Sequence, residues 1–179
     1  MPTLEAKSNP AFKRVLLIFI SLLLVAACLL GATVAFSGSK LLAGTPPTNL
    51  GVHSGELPPC PSTPNCVNSQ SLDAKHKIAP LTYDSSPQAA LANLKTVIQS
   101  FKRTKVITAI DNYLYVEFTI PIVGFVDDVE FFLDEDAKVI HVRSASRLGE
   151  SDLGVNRRRI ETIRAKLSQI TSSTAAPPA

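Results

Sequence analysis

Polar and apolar positions alternate in three different ways along this chain, and each way predicts a different kind of element. The first is no alternation at all. From Val15 to Phe36 the sequence VLLIFISLLLVAACLLGATVAF runs for 22 residues without a charge. As a helix it spans about 33 Å, enough for a hydrocarbon core of about 30 Å. Its one early polar residue, Ser21, can bond its own backbone. Lys13 and Arg14 flank it on one side and the next charge is Lys40, a bias that leaves the N-terminal tail (1–14) in the cytoplasm and the rest outside.

The second pattern has a helical period. In SSPQAALANLKTVIQSFKR, Ser86 is placed to cap and Pro87 to open the first turn. Ala90, Leu91, Leu94, Val97, Ile98 and Phe101 then form one apolar stripe. A second such stripe, Ile160, Ile163, Leu167 and Ile170, predicts a helix near 154–170. Between the two lies the third pattern, strict alternation. KVITAI, YLYVEFTI, FVDDVEFFL and KVIHVRSAS predict four strands joined by turns at Asp111-Asn112, PIVG and DEDA. HKIAPLTY is at most a short edge strand, because Pro80 interrupts it. Helix, four-stranded antiparallel meander and helix together predict an α+β two-layer sandwich with both helices on one sheet face. Residues 57–170 carry this domain, 37–56 read as a flexible tether rich in Gly, Ser, Thr and Pro, and 171–179 read as a disordered end.

Turn parity also predicts the sheet register. If DEDA closes the last hairpin with Leu133 facing Lys138, then Asp128 faces Arg143 and Glu130 faces His141. If PIVG closes the one before, Tyr115 lies beside Glu130 and Glu117 beside Asp128. All six side chains point away from the helices, onto a face that is either solvated or covered by the Pro/Cys segment or a ligand. A metal site built from Glu117, Asp128, Glu130 and His141 is disfavoured, because ligands on a flat sheet rarely converge. No metal and no cofactor is expected.

Two alternatives compete with a retained anchor. Val25–Cys28, VAAC, resembles a lipoprotein processing site that would leave Cys28 acylated, although the apolar residues after it fit that poorly. Thr33–Ala35 instead fits an ordinary signal cleavage site. Each reading places the domain outside the cytoplasm. There Cys60 and Cys66, in LPPCPSTPNC, favour a disulfide, since C-x-x-C spacing and further zinc ligands are both missing. Such a bridge closes a small ring and stabilises by about 2.4 kcal/mol in the chain-entropy model. Inert thiols and a reactive or metal-binding pair remain open.

Net charge is +3, but residues 57–170 hold 14 Lys+Arg and 13 Asp+Glu, so the domain has no basic excess to suggest a nucleic-acid partner. The densest chemistry is RSASRLGESDLGVNRRRIE, Arg143–Glu161, with five arginines and three serines between a strand and a helix. Arg143, Ser144, Ser146, Arg147, Asn156 and Arg157 form a candidate anion site there, with Asp127 and Asp128 orienting the arginines. The competing reading is internal pairing of Arg143 and Arg147 with the acidic run 127–130, and a solvated Arg157–Arg159 face.

These two motifs, LPPCPSTPNCVNSQ and DDVEFFLDEDAKVIHVRSASRLGESDLGVNRRRIE, resemble the uncharacterised family called domain of unknown function 1499, over about Leu57–Leu167. The family occurs in bacteria, cyanobacteria and plastids. The resemblance carries no activity or cofactor. It implies that Cys60, Pro61, Ser62, Asn65, Cys66 and Val67 share a domain with Asp127–Glu130, Arg143–Arg147, Ser151–Gly154, Asn156 and Arg157.

Three functions fit. The favoured one is a single-pass membrane protein with a non-catalytic domain in the periplasm or thylakoid lumen, binding an anionic ligand through the Arg/Ser loop. A hydrolase would use Cys66 or Ser144 with His141 or Asp128, but positions 141 and 144 point to opposite faces. A structural partner of a membrane complex would dock through Tyr113, Tyr115 and Phe132.

Overall fold

The computed structural model describes residues 9–121 and 124–175. Residues 1–8 and 176–179 of the expected tails, and Ile122 and Val123 of the expected PIVG turn, lie outside the described residues. The chain forms two compact units, one up to Lys40 and one from Leu41. The first holds all but the last residue of helix α1, Pro10–Leu41, whose stretch Pro10–Gly31 is long and apolar enough to cross a membrane. A signal segment would meet the same description. The helix takes in Pro10–Arg14, the end of the expected tail.

The second unit is α+β, with strand β1 (Cys66–Asn68), β2 (Leu81–Thr82), helix α2 (Pro87–Gln99), β3 (Thr104–Ile110), β4 (Tyr113–Thr119), β5 (Val126–Asp134), β6 (Val139–Ser146) and helix α3 (Val155–Ala175). Each element follows from its local pattern. Ser86 Oγ caps α2 by accepting from the Ala89 N–H at 3.3 Å, and Pro87 opens the helix. Asp152 does the same for α3, its Oδ2 accepting from the Asn156 N–H at 2.6 Å. Leu94, Val97 and Ile98 from α2, and Ile160 and Ile163 from α3, close over Leu114, Val116, Val129, Phe131, Leu133, Ile140 and Val142 of the sheet.

The sheet has six strands, not the four-stranded meander expected. The meander β3-β4-β5-β6 is present, and β1 and β2 both add antiparallel to the outer edge of β6. A three-residue strand shows no alternation to read, and β1 exists only because Arg143–Ala145 offers it an edge. At the opposite edge β3 leaves Val106, Ile107 and Ile110 exposed, with a register shift around Ile107.

The register between β4 and β5 is as expected, with Tyr115 opposite Glu130 and Glu117 opposite Asp128. Between β5 and β6 it is displaced by two residues. Glu130 faces Arg143, Asp128 faces Ala145 and Phe132 faces His141. The turn is Glu135–Lys138 rather than DEDA: Asp134 Oδ1 accepts from the Ala137 N–H at 2.9 Å, and Lys138 takes φ +54°. An even displacement keeps each side chain on its expected face but changes its partner.

Two further stretches differ from expectation. Thr171–Ala175 continues α3. Part of the expected tether lies on the sheet face away from the helices, where the Gly51 N–H donates to Glu130 Oε1 at 2.8 Å. Truncating the fully buried Leu94 to Ala should lower the unfolding free energy of the full chain in detergent by about 2–5 kcal/mol. Lys95→Ala, one residue along on the exposed face, should change it by less than about 0.5 kcal/mol in the same denaturant titration.

Candidate functional site

β5 carries Asp127 and Asp128 side by side, and a strand turns successive side chains to opposite faces. The residues expected to form one anion site are therefore divided by the sheet. Asp127, Ser144, Ser146 and Asn156 lie on the helix side, while Asp128, Arg143 and Arg147 lie on the other.

On the helix side the centre is Arg159, from the first turns of α3. Its Nη2 pairs with Asp127 Oδ2, and its Nη1 donates to Asn156 Oδ1 at 2.5 Å and Ser144 Oγ at 3.0 Å. Ser144 Oγ donates to the same Asn156 Oδ1 at 2.6 Å. The Asn156 amide then donates to the Asn65 carbonyl at 2.9 Å and to Ser146 Oγ at 3.0 Å. Asn65 in turn reaches the Gly149 carbonyl at 2.6 Å. The Pro/Cys loop, β6, the loop after it and α3 thus join through one buried network. The guanidinium also lies 4.8 Å from the Phe118 ring centroid.

On the other side the centre is Arg147. Its Nε donates to Asp128 Oδ2 at 2.9 Å, and its Nη2 reaches Asp128 Oδ1 at 2.7 Å, Tyr115 Oη at 3.1 Å and Glu117 Oε1. Tyr115 Oη donates to Asp128 Oδ1 at 2.6 Å. Burial works against the Arg147 charge, but hydrogen bonds to Asp128, Glu117 and Tyr115 and the Asp128 charge hold its pKa above the ordinary arginine value. Burial pushes the Tyr115 hydroxyl well above its ordinary pKa, and the Asp128 carboxylate adds to this. Next along, Glu130 is fully buried and accepts from the Gly51 N–H, from Tyr113 Oη at 2.8 Å and from Arg143 Nη1 at 3.2 Å. Arg143 Nε is buried with no hydrogen-bond partner among the described residues. Burial raises the Glu130 pKa further than Gly51, Arg143 and Tyr113 lower it.

The face away from the helices is therefore covered rather than solvated, with Gly51 of the expected tether reaching Glu130, and internal pairing accounts for Arg143 and Arg147. Arg157 stands apart, half-buried, with Nη2 on the Lys75 carbonyl at 3.2 Å. Arg159, expected on a solvated face, is instead buried. The signal for it was available: Asn156 and Arg159 lie four residues before Ile160 and Ile163 and continue their stripe. Glu117 and Asp128 share the Arg147 guanidinium rather than a metal ion, and His141 Nδ1 meets Ser69 Oγ at 3.1 Å. Burial lowers the His141 pKa against the pull of Asp134. No group of three or more His, Cys, Asp or Glu suited to a metal occurs among the described residues.

Of the thiols, Cys60 and Cys66 form a disulfide, and Cys28 is free and exposed. Ser144 and His141 lie on opposite faces of β6, each held by other partners. Tyr113 and Tyr115, expected on an open docking face, are turned to Glu130 and Asp128, while Phe132 stacks on His141 with centroids 6.1 Å apart.

The model of a family described as protein of unknown function (DUF1499) matches residues 56–167, a span that contains the disulfide and every side chain of both networks but not Gly51. No curated protein matches the chain.

Arg147→Ala should cost about 3–5 kcal/mol of stability, because Asp128 is left buried without its cation. Denaturant unfolding should show Arg147→Lys to be intermediate, since an ammonium cannot reproduce the fork. Glu130 binds its proton more tightly folded than unfolded. Its contribution is thus complete below its ordinary pKa of 4.5 and is lost as pH rises through the higher folded value. Unfolding measured across that window should show the wild type losing stability relative to Glu130→Gln as pH increases.

Proposed function

The chain belongs to the DUF1499 family, and from its geometry we propose a membrane-anchored, non-catalytic accessory module whose domain works in an oxidising space outside the cytoplasm. The Cys60–Cys66 disulfide carries this reading. Disulfides persist where thiols are not kept reduced, and this one follows a helix that suits a membrane span. The same bond withdraws Cys66 as a nucleophile. The remaining hydrolase pairing, Ser144 with His141, is divided by the sheet.

The module meets an anionic partner at the rim where the loop after β6 runs into α3, which opens with Arg157 and Arg158 near its first turn. Arg143, Arg147 and Arg159 are held inside the fold. At the rim of this loop the cations nearer the surface are Arg157, half-buried with Nη2 on the Lys75 carbonyl, and Arg158, exposed with Nη1 on the Leu153 carbonyl. The inner arginines shape the loop rather than touch the partner.

The intact mass of the full chain, purified from membranes without reductant, tests the core of this reading. The chain should keep its N-terminal segment and accept alkylation at Cys28 alone. Reduction should expose Cys60 and Cys66 as two new alkylation sites. Alkylation of Cys60 and Cys66 before reduction would sink the oxidised-compartment assignment. Loss of the first 27 residues with a lipid on Cys28, or cleavage after Ala35, would replace the spanning anchor by one of its alternatives.

A further inference from the structure

At one end of the sheet the β4–β5 turn and the loop after β6 bring apolar side chains together at the surface. Ile120 and Phe125 close the turn, the Ile120 N–H donating to the Phe125 carbonyl at 2.7 Å. Leu148, Leu153 and Val155 join them to line a shallow groove of about 200 Å³. Leu148 is 40% exposed and Leu153 is 84% exposed. Leu153 also holds φ +52°, in the left-handed region that a leucine rarely adopts. Arg158 Nη1 supports that shape by donating to the Leu153 carbonyl at 2.8 Å. A strained backbone that displays a bare leucine is unfavourable in water on both counts, which directs attention to what the leucine meets.

Two observations identify the occupant. The first is charge. Lys102, Arg103 and Arg158 are exposed, and the Arg103 carbonyl accepts from the Thr119 N–H at 2.9 Å, which puts it at the same end as the turn. Glu150 is the exposed acid of this loop, while Asp152 is engaged with the first N–H groups of α3. The second is the path of the chain. Gly44 takes φ +67°, and a Cβ there would come within 2.9 Å of Arg147 Cβ and 3.0 Å of Leu148 Cγ. The backbone passes directly against Leu148, thirteen residues along the chain from the membrane-suited stretch Pro10–Gly31, and Leu42 is exposed.

We infer that this end of the domain is a second membrane contact: Leu148 and Leu153 enter the interfacial layer of an anionic bilayer while Lys102, Arg103 and Arg158 meet lipid phosphates. The inference rests on the reading of α1 as an anchor and assigns the anionic partner to the bilayer that holds it. One apolar segment plus a basic, apolar-tipped surface gives two signals for one membrane, a combination that fixes a domain against it more firmly than either alone.

The test uses the full chain carrying Cys28→Ser and Leu153→Cys, labelled without reductant by an environment-sensitive dye so that Cys60–Cys66 stays closed. It is reconstituted in phosphatidylcholine vesicles with about one-third phosphatidylglycerol, with and without brominated acyl chains. Bromolipid quenching at 153 should exceed by at least about twofold that at Leu72→Cys, a 95% exposed position outside the groove. It should fall in phosphatidylcholine alone. A chain that floats with vesicles but is quenched no more at 153 than at 72 overturns the inference and leaves the anchor standing. A chain that fails to float removes the anchor, and this contact with it. Shielding of 153 in native membranes but not in protein-free vesicles overturns the lipid contact in favour of a protein partner.

Discussion

Two neighbouring carboxylates on one strand set the terms for everything around them. Asp127 and Asp128 must point to opposite faces of β5, and both are almost fully buried. A buried carboxylate is tolerable only with a cation and hydrogen bonds beside it. Each face therefore needs its own arginine, and each arginine arrives from a different element, Arg159 on α3 and Arg147 from the loop beyond β6. Once both are in place, the helix layer and the loop cannot shift independently of the sheet. The serines, asparagines and tyrosines nearby complete the bonding of these two pairs. What resembles a reactive cluster in sequence is a double clamp through the sheet.

Most of the framework was legible because it obeys local rules. Ser86 and Pro87 mark the start of α2, the stripes of α2 and α3 name their buried residues, and alternation reveals the meander with its faces correct. What escaped reading depends on distant parts of the chain. Residues 66–68 form a strand only by meeting residues 143–145, and Gly51 is ordered against a carboxylate 79 positions away. The β5–β6 register turned on whether Asp134 ends the strand or enters the turn, and its own side chain, bonded to the Ala137 N–H, decides that. The site was half legible. Its residue types were found, but density of arginine does not distinguish guanidinium groups held inside from those offered outside. Depth in the fold makes that distinction, and only the helical phase of Arg159 carried it in sequence.

The arginines of this region also divide by depth, Arg143 and Arg159 buried and Arg158 exposed. The inner ones sit in a low-dielectric setting where loss of a partner is costly, so they serve geometry. The rim stays free to vary in what it meets. An apolar-tipped loop in a strained conformation needs such a backing, because a loop without it would relax and bury Leu153. The network from Asn65 through Gly149 supplies that stiffness from below.

The small strand β1 has a consequence in time. It is made before every other strand of the sheet, yet its ladder is to β6, the last of them to be synthesised. Neighbours in the meander can pair as they appear, since short turns close with little loss of entropy. β1 and the looped segment before it must wait through about eighty residues of synthesis for that edge, with the nearby His76 carbonyl as an earlier partner for the Asn68 N–H. The Cys60–Cys66 bridge lies wholly within this waiting segment, so its closure does not depend on the arrival of β6.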